Sequence, residues 1–101
     1  MFARVVTWEG GDADAIRRAA ADISSRAATG PPEGVRSTGF TMLVDPESGR
    51  TMMIGLFETM DDLRDAEAVL DGMDPGEGMG ERGETRAYDV AFEARLDQAA
   101  H

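Results

Sequence analysis

Cysteine, lysine and asparagine are all missing from this chain of 101 residues, and its only histidine is the last residue, His101. Without cysteine there is no disulfide and no thiolate nucleophile or ligand. Without lysine there is no Schiff-base chemistry, and any mechanism that uses an Asn amide is closed as well. A terminal histidine makes a poor triad member, metal ligand or haem ligand, because chain ends are seldom held in place. All ten basic residues are arginine, against twenty acidic ones, and the formal charge of −10 repels phosphate backbones and anionic lipid. Nucleic acid and membrane surfaces are therefore not expected partners. No apolar run reaches the roughly 18 residues a membrane helix needs. The opening MFARVVTWEGG lacks the order of a signal peptide, so a cytoplasmic location is the expectation. Apolar residues at 42% and charged residues at 30% describe one ordinary globular domain, expected over 1–96 with a tail at 97–101.

What is present orders itself into six elements. Residues 2–8, FARVVTW, are β-branched and aromatic and stop at Gly10-Gly11, which predicts a strand. Both of its phases are largely apolar, as in a central strand covered on each side, and Arg4 is the exception that needs a partner or a wet cavity. Asp12 or Asp14 caps a predicted helix that runs to about Ala28, with Ile16, Ala19, Ala20, Ile23 and Ala27 as its apolar stripe. Gly30-Pro31-Pro32 stops it. A second strand is predicted from Val35 to Val44, a turn at Asp45-Pro46-Glu47-Ser48-Gly49, and a returning strand from Arg50 to Phe57. Thr59, with Asp62 three residues on, opens a second helix whose stripe is Leu63, Ala66, Val69, Leu70 and Met73. The glycine-rich stretch 72–84 predicts a loop, and Thr85 to Leu96 a last, edge strand with Tyr88, Val90 and Phe92 in one phase.

The order β-α-β-β-α-β is the ferredoxin-like split pattern, an α+β fold with a four-stranded antiparallel sheet and two helices on one face. Two helices cover one face of such a sheet, whereas the hairpin and the first strand carry apolar residues for both. A homodimer packed sheet to sheet is the expected solution, since two-fold symmetry lets one patch serve both subunits.

The stretch Phe57-Glu58-Thr59-Met60-Asp61-Asp62-Leu63, with the Gly39-Phe40 step and the Asp45-to-Arg50 turn, resembles the antibiotic-biosynthesis-monooxygenase-like dimeric α/β-barrel superfamily over nearly the whole chain. That resemblance implies a cleft between sheet and helices in each subunit, and a small apolar or aromatic ligand. Relatives with chemistry include cofactor-independent oxygenases and haem-degrading enzymes. The latter use a helix His, a first-strand Asn and a Trp; this chain has Arg4 and Phe57 where the Asn and Trp would stand. No cofactor is expected. The resemblance thus yields Arg4 and Tyr88 as candidate catalytic donors, and Arg4, Trp8, Met53, Phe57 and Tyr88 as candidate ligand-binding residues. Against it stand plainer readings. Trp8, Met53 and Phe57 fill the core, Arg4 pairs with a carboxylate across the dimer, and Tyr88 packs its ring with its hydroxyl in water. The alternative function is a non-catalytic ligand-binding or assembly module.

Gly78-Met79-Gly80-Glu81-Arg82-Gly83 matches a dinucleotide fingerprint by letter, but a helix precedes it and a strand follows, the reverse of what a phosphate cradle needs. It is expected to be a plain connection, or a lid over the cleft. Asp61, Asp62 and Asp65 are explained by the helix dipole, and no metal site is expected.

Overall fold

A computed structural model describes residues 1–72, 78–94 and 96. Its elements are β1 (Phe2–Glu9), α1 (Ala13–Ala27), β2 (Gly39–Asp45), β3 (Arg50–Phe57), α2 (Met60–Leu70) and β4 (Glu81–Asp89). The strands form one sheet in the order β2-β3-β1-β4, antiparallel at every pairing. This is the ferredoxin-like β-α-β-β-α-β fold. Among the described residues no helix is long and apolar enough to cross a membrane.

Local chemistry sets the helix starts. The Asp12 carboxylate accepts from the Ala15 N–H at 3.0 Å, and the Thr59 hydroxyl from the Asp62 N–H at 3.0 Å, each satisfying a donor that the first turn leaves over. Asp61 and Asp62 lie in the first turn of α2, where the dipole favours them.

Register sorts the side chains. Phe2, Arg4, Val6 and Trp8 stand opposite Phe57, Gly55, Met53 and Thr51, so these eight share a face, and Phe40, Met42 and Val44 of β2 join them. Both helices cover this face, through two clusters. Around α2, Phe57, Leu63, Ala66 and Val35 are buried together, with Phe2, Met60, Val69 and Leu70 against them. Around α1, Ile16, Ala19 and Met79 are buried, with Trp8, Met42 and Met53 alongside. The other face carries Ala3, Val5 and Thr7, Met52, Ile54 and Leu56, Leu43 and Tyr88, and no described element packs over it.

Three boundaries differ from the sequence expectation. β2 begins at Gly39 rather than Val35, because Val35 leaves the strand direction and enters the α2 cluster, its N–H donating to Pro32 O at 3.0 Å. β4 runs over Glu81–Asp89 rather than 85–96, so the end of the glycine-rich stretch pairs with β1. The expected strand end, residues 90–94 and 96, lies outside the ladder, and Phe92 and Leu96 are 83% and 82% exposed. α2 ends at Leu70, and Met73, the last residue of its expected stripe, falls outside the described residues, as do 74–77 and the tail 97–101.

Gly78, Met79 and Gly80 are a seat rather than a lid. Met79 is buried against Ile16, and the Asp12 N–H donates to Gly78 O at 2.7 Å. Gly80 has φ +93°, and a Cβ there would run into the carbonyl oxygen of Glu9. Backbone is packed on backbone here, which only glycine permits.

Candidate functional site

Four of the five residues singled out from the sequence share the helix side of the sheet: Arg4, Trp8, Met53 and Phe57. Tyr88 does not join them. It stands opposite Ala3, while Arg4 stands opposite Ala87, so the Tyr88 ring lies on the uncovered face. A strand's side chains alternate, and one position of phase separates the two proposed donors by the thickness of the sheet. Tyr88 is 48% exposed and lies beside Arg86, whose guanidinium Glu84 holds above its ordinary pKa from 2.8 Å, with Tyr88 adding to the shift.

Arg4 is buried, and Asp71 and Glu67 of its own chain lie against it. Its Nη2 donates to Asp71 Oδ1 at 2.8 Å, and its Nε lies 3.9 Å from Glu67 Oε1. Arg82 donates to the same Asp71 oxygen at 2.8 Å and to Thr85 Oγ1 at 3.0 Å. Asp71 caps the C-terminus of α2, where the dipole disfavours a carboxylate and favours the two guanidiniums. The hydrogen bond from Arg82, reinforced by the charges of Arg4 and Arg82, holds the Asp71 carboxyl below its usual pKa against the opposing effect of burial. The network fastens α2 to β1 and β4, so the guanidinium of Arg4 is largely committed to structure.

Phe57 is wholly enclosed in the α2 cluster, so it is core. Trp8 and Met53 are half-buried beside the α1 cluster. Between the clusters the cover is incomplete. Only Ala15, Ile16 and Ala19 of α1 are buried; Ile23 is half-buried and Ala27, expected on the stripe, is exposed, so the C-terminal half of α1 buries little of its stripe. Beneath that opening, Phe40 is 49% exposed and Met42 half-buried. Next to Phe40 across the ladder is Gly55, where a side-chain Cβ would meet only the Phe57 ring, at 3.3 Å. Phe40, Met42, Met53 and Gly55 thus share an apolar strip of the helix side, Phe40 exposed and the other three half-buried, with Trp8 towards one end and Arg4 beside Gly55.

Three buried polar atoms on this face, Arg4 Nε, Trp8 Nε1 and Thr51 Oγ1, have no hydrogen-bond partner among the described residues. All three can donate, and Trp8 and Thr51 are directly opposed in the ladder. An acceptor brought by a bound molecule or a water would satisfy them. Among the described residues no three His, Asp or Glu side chains converge as a metal site would require.

A separate apolar depression of about 260 Å³ lies at the β2–β3 turn, lined by Leu43, Val44, Asp45, Arg50 and Met52. Leu43 and Met52 are cross-strand partners on the uncovered face, so this depression opens there and not onto the helix-side strip.

Two elements of the site escaped sequence reasoning. Asp71 sits at the edge of the glycine-rich stretch and carries no local signal of its distant partner. Gly55 did carry one: a lone glycine inside a strand marks a place where a side chain is left out. Neither a scan against protein-family models nor a search of curated proteins found a match for the chain.

Proposed function

We propose that this protein binds a small apolar or aromatic molecule in the groove between its sheet and helices, as a homodimer, without catalysing its conversion. The observation that carries this reading is the unsealed strip at Phe40 and Gly55, on a face that two helices otherwise cover. Apolar walls with a few placed donors are the usual makeup of a small-molecule site. Cofactor-free oxygenation, which the resemblance to monooxygenase-like proteins suggests, asks for a donor or base at the substrate. With Tyr88 on the other face and Arg4 held by Asp71, binding is the better supported role.

Trp8 is the only tryptophan, so its fluorescence reports on the groove without a label. Titration with a naphthol or a quinol should give a saturable change in that signal, and Gly55→Leu, which fills the floor, should abolish it while the far-UV spectrum is kept. A flat titration in the wild-type protein would sink the proposal. Anthrone-type substrates incubated under oxygen should give no turnover above an Arg4→Ala control, and turnover that requires Arg4 would restore the enzymatic reading.

The dimer is supported by the uncovered face. Val5, Leu43, Met52, Ile54, Leu56 and Tyr88 remain half-buried or exposed there. Completing their burial is worth about 1 kcal/mol each, or roughly 12 kcal/mol over two subunits. Association costs ~4–15 kcal/mol, so the face by itself roughly balances that cost. Light scattering checks the pairing, and a stable monomer at micromolar concentration would refute it.

A further inference from the structure

The two edges of the sheet are built differently. β4 carries Glu81, Arg82, Glu84, Arg86 and Asp89, and it shifts register against β1 between Val6 and Trp8. Charges and a bulge are the usual means of keeping an edge from pairing with another chain. β2, GFTMLVD, has neither: it holds register with β3 throughout and bears no charge before Asp45. Three of its large apolar side chains are exposed, Phe40 and Val44 on the helix side and Leu43 on the other. No described strand pairs with its outer side. An edge that is apolar on both faces and seven residues long is a template for a further strand. We propose that β2 pairs with β2 of a second copy of the chain, antiparallel, about a two-fold axis at Met42.

The strand is its own complement. Met42 is the middle residue of Gly39–Asp45, so an axis there overlaps the two strands from end to end. It sets Phe40 opposite Val44 on the helix side and Thr41 opposite Leu43 on the other, so each exposed apolar side chain gains a cross-strand neighbour. Neighbouring axes do worse. One at Thr41 would set Val44 against Thr38, outside the strand, and one at Leu43 would set Phe40 against Pro46 and Thr41 against Asp45.

Charge favours a second copy at this place. A chain of net charge −10 repels its own kind over most of its surface, and residues 37–44 are its longest stretch without a charge. Asp45 falls at the two far ends of the pair, opposite Gly39. Its carboxylate already accepts from the Ser48 hydroxyl and the Glu47 N–H. The pairing leaves the uncovered face free, so it stands apart from the sheet-to-sheet dimer and does not depend on it. One strand edge is a small contact, below the size of a standard interface, so it associates at higher concentration than the face requires. It also brings the partner's Val44 beside Phe40, at the outer margin of the helix-side strip.

The absence of cysteine gives a direct test. In the pair the two Met42 Cα atoms lie about 5 Å apart, within disulfide reach, whereas Thr41 and its mate, or Leu43 and its mate, lie about 8 Å apart. The full chain carrying Met42→Cys should therefore give a covalent dimer on mild oxidation, and Thr41→Cys and Leu43→Cys should not. Random collision would favour the latter two, since Thr41 and Leu43 are exposed and Met42 is half-buried. Crosslinking at position 41 or 43 as fast as at 42 thus overturns the pairing. In sedimentation of concentrated protein, Val44→Glu should weaken the association at least about tenfold, and added salt should strengthen it in the wild-type chain. An unchanged association in Val44→Glu overturns the pairing as well. Both measurements repeated with Ile54→Glu, which places a charge on the uncovered face, separate the two surfaces. A Met42→Cys crosslink that persists there upholds the edge pairing even where the sheets do not pair. Loss of all association and of the crosslink with Ile54→Glu overturns the edge pairing and leaves the sheet-to-sheet dimer standing.

Discussion

Arg4 and Arg82 place their Nη2 atoms at the same 2.8 Å from a single acceptor, Oδ1 of Asp71. One carboxylate thus ties a central strand and an edge strand to the end of a helix. Arg4 is the buried member, and removing its partner would leave a charge in the interior with, among the described residues, only Glu67 nearby at 3.9 Å. Asp71→Ala should therefore destabilise the fold by about 2 kcal/mol, below the full figure for a broken buried pair because Asp71 is itself half exposed. Asp71→Asn keeps an acceptor oxygen and should lose less. Urea unfolding of both variants separates the charge from the hydrogen bonds, and equal losses would show that the charge contributes nothing.

The same carboxylate gives stability a pH dependence of known sign. The Asp71 pKa is lowered in the folded state, chiefly by the Arg82 hydrogen bond, below the ordinary carboxylate value of 3.8. Its contribution is present above that unfolded value and is lost as acid protonates the group. Asp45, lowered by the Ser48 hydroxyl and the Glu47 N–H, acts in the same direction. The wild-type urea midpoint should therefore fall as the pH drops from about 5 towards 3, and the gap to Asp71→Asn should close over the same range. A constant gap across that range would contradict the assignment.

Much of this was legible in the sequence, and the losses have physical causes. Caps, turn residues and apolar period located all six elements, because each is a local signal, and only boundaries, chiefly those of β2 and β4, were displaced. Arg82 was missed as a site residue because the glycines around it read as loop, and a bulge hides its side even once it is known to lie in β4. Val6 stands opposite Thr85 but Trp8 stands opposite Arg82, so one extra residue on β4 carries Arg82 to the helix side, where simple alternation from Tyr88 would not place it. Tyr88 failed for a related reason: whether it shares a face with Arg4 depends on register with another strand, which no local pattern encodes. Val35 looks like a strand residue by type and is recruited to the core by α2, a tertiary effect.

The glycine-rich entry to β4 should be intolerant of side chains. At Gly80, with φ +93°, a Cβ would collide with the Glu9 carbonyl, and at Gly49, with φ +73°, with the Gly11 carbonyl. Gly80→Ala and Gly49→Ala should each cost about 2 kcal/mol or more in thermal or urea unfolding. Gly30, at φ +99° with no atom near its Cβ position, is the control, and Gly30→Ala should cost only about 1 kcal/mol. If all three cost the same, backbone contact is not what selects glycine at the first two.

Val5 and Ile54 face each other at the middle of the uncovered side, on the two central strands, and both are only half-buried. A glutamate at position 54 could reach water in an isolated subunit, so Ile54→Glu should cost the monomer only about 1 kcal/mol. In a two-fold pair it would meet its own symmetry mate's surroundings inside an apolar contact, with two unpaired charges to desolvate. Dimer dissociation should then shift by at least about a thousandfold, at a nearly unchanged unfolding midpoint of the subunit. Sedimentation equilibrium and urea unfolding, run on the same preparation, read the two quantities separately. A variant that stays dimeric at wild-type affinity would mean that the subunits meet through some other surface, since no rearrangement of this face hides a charge at its centre.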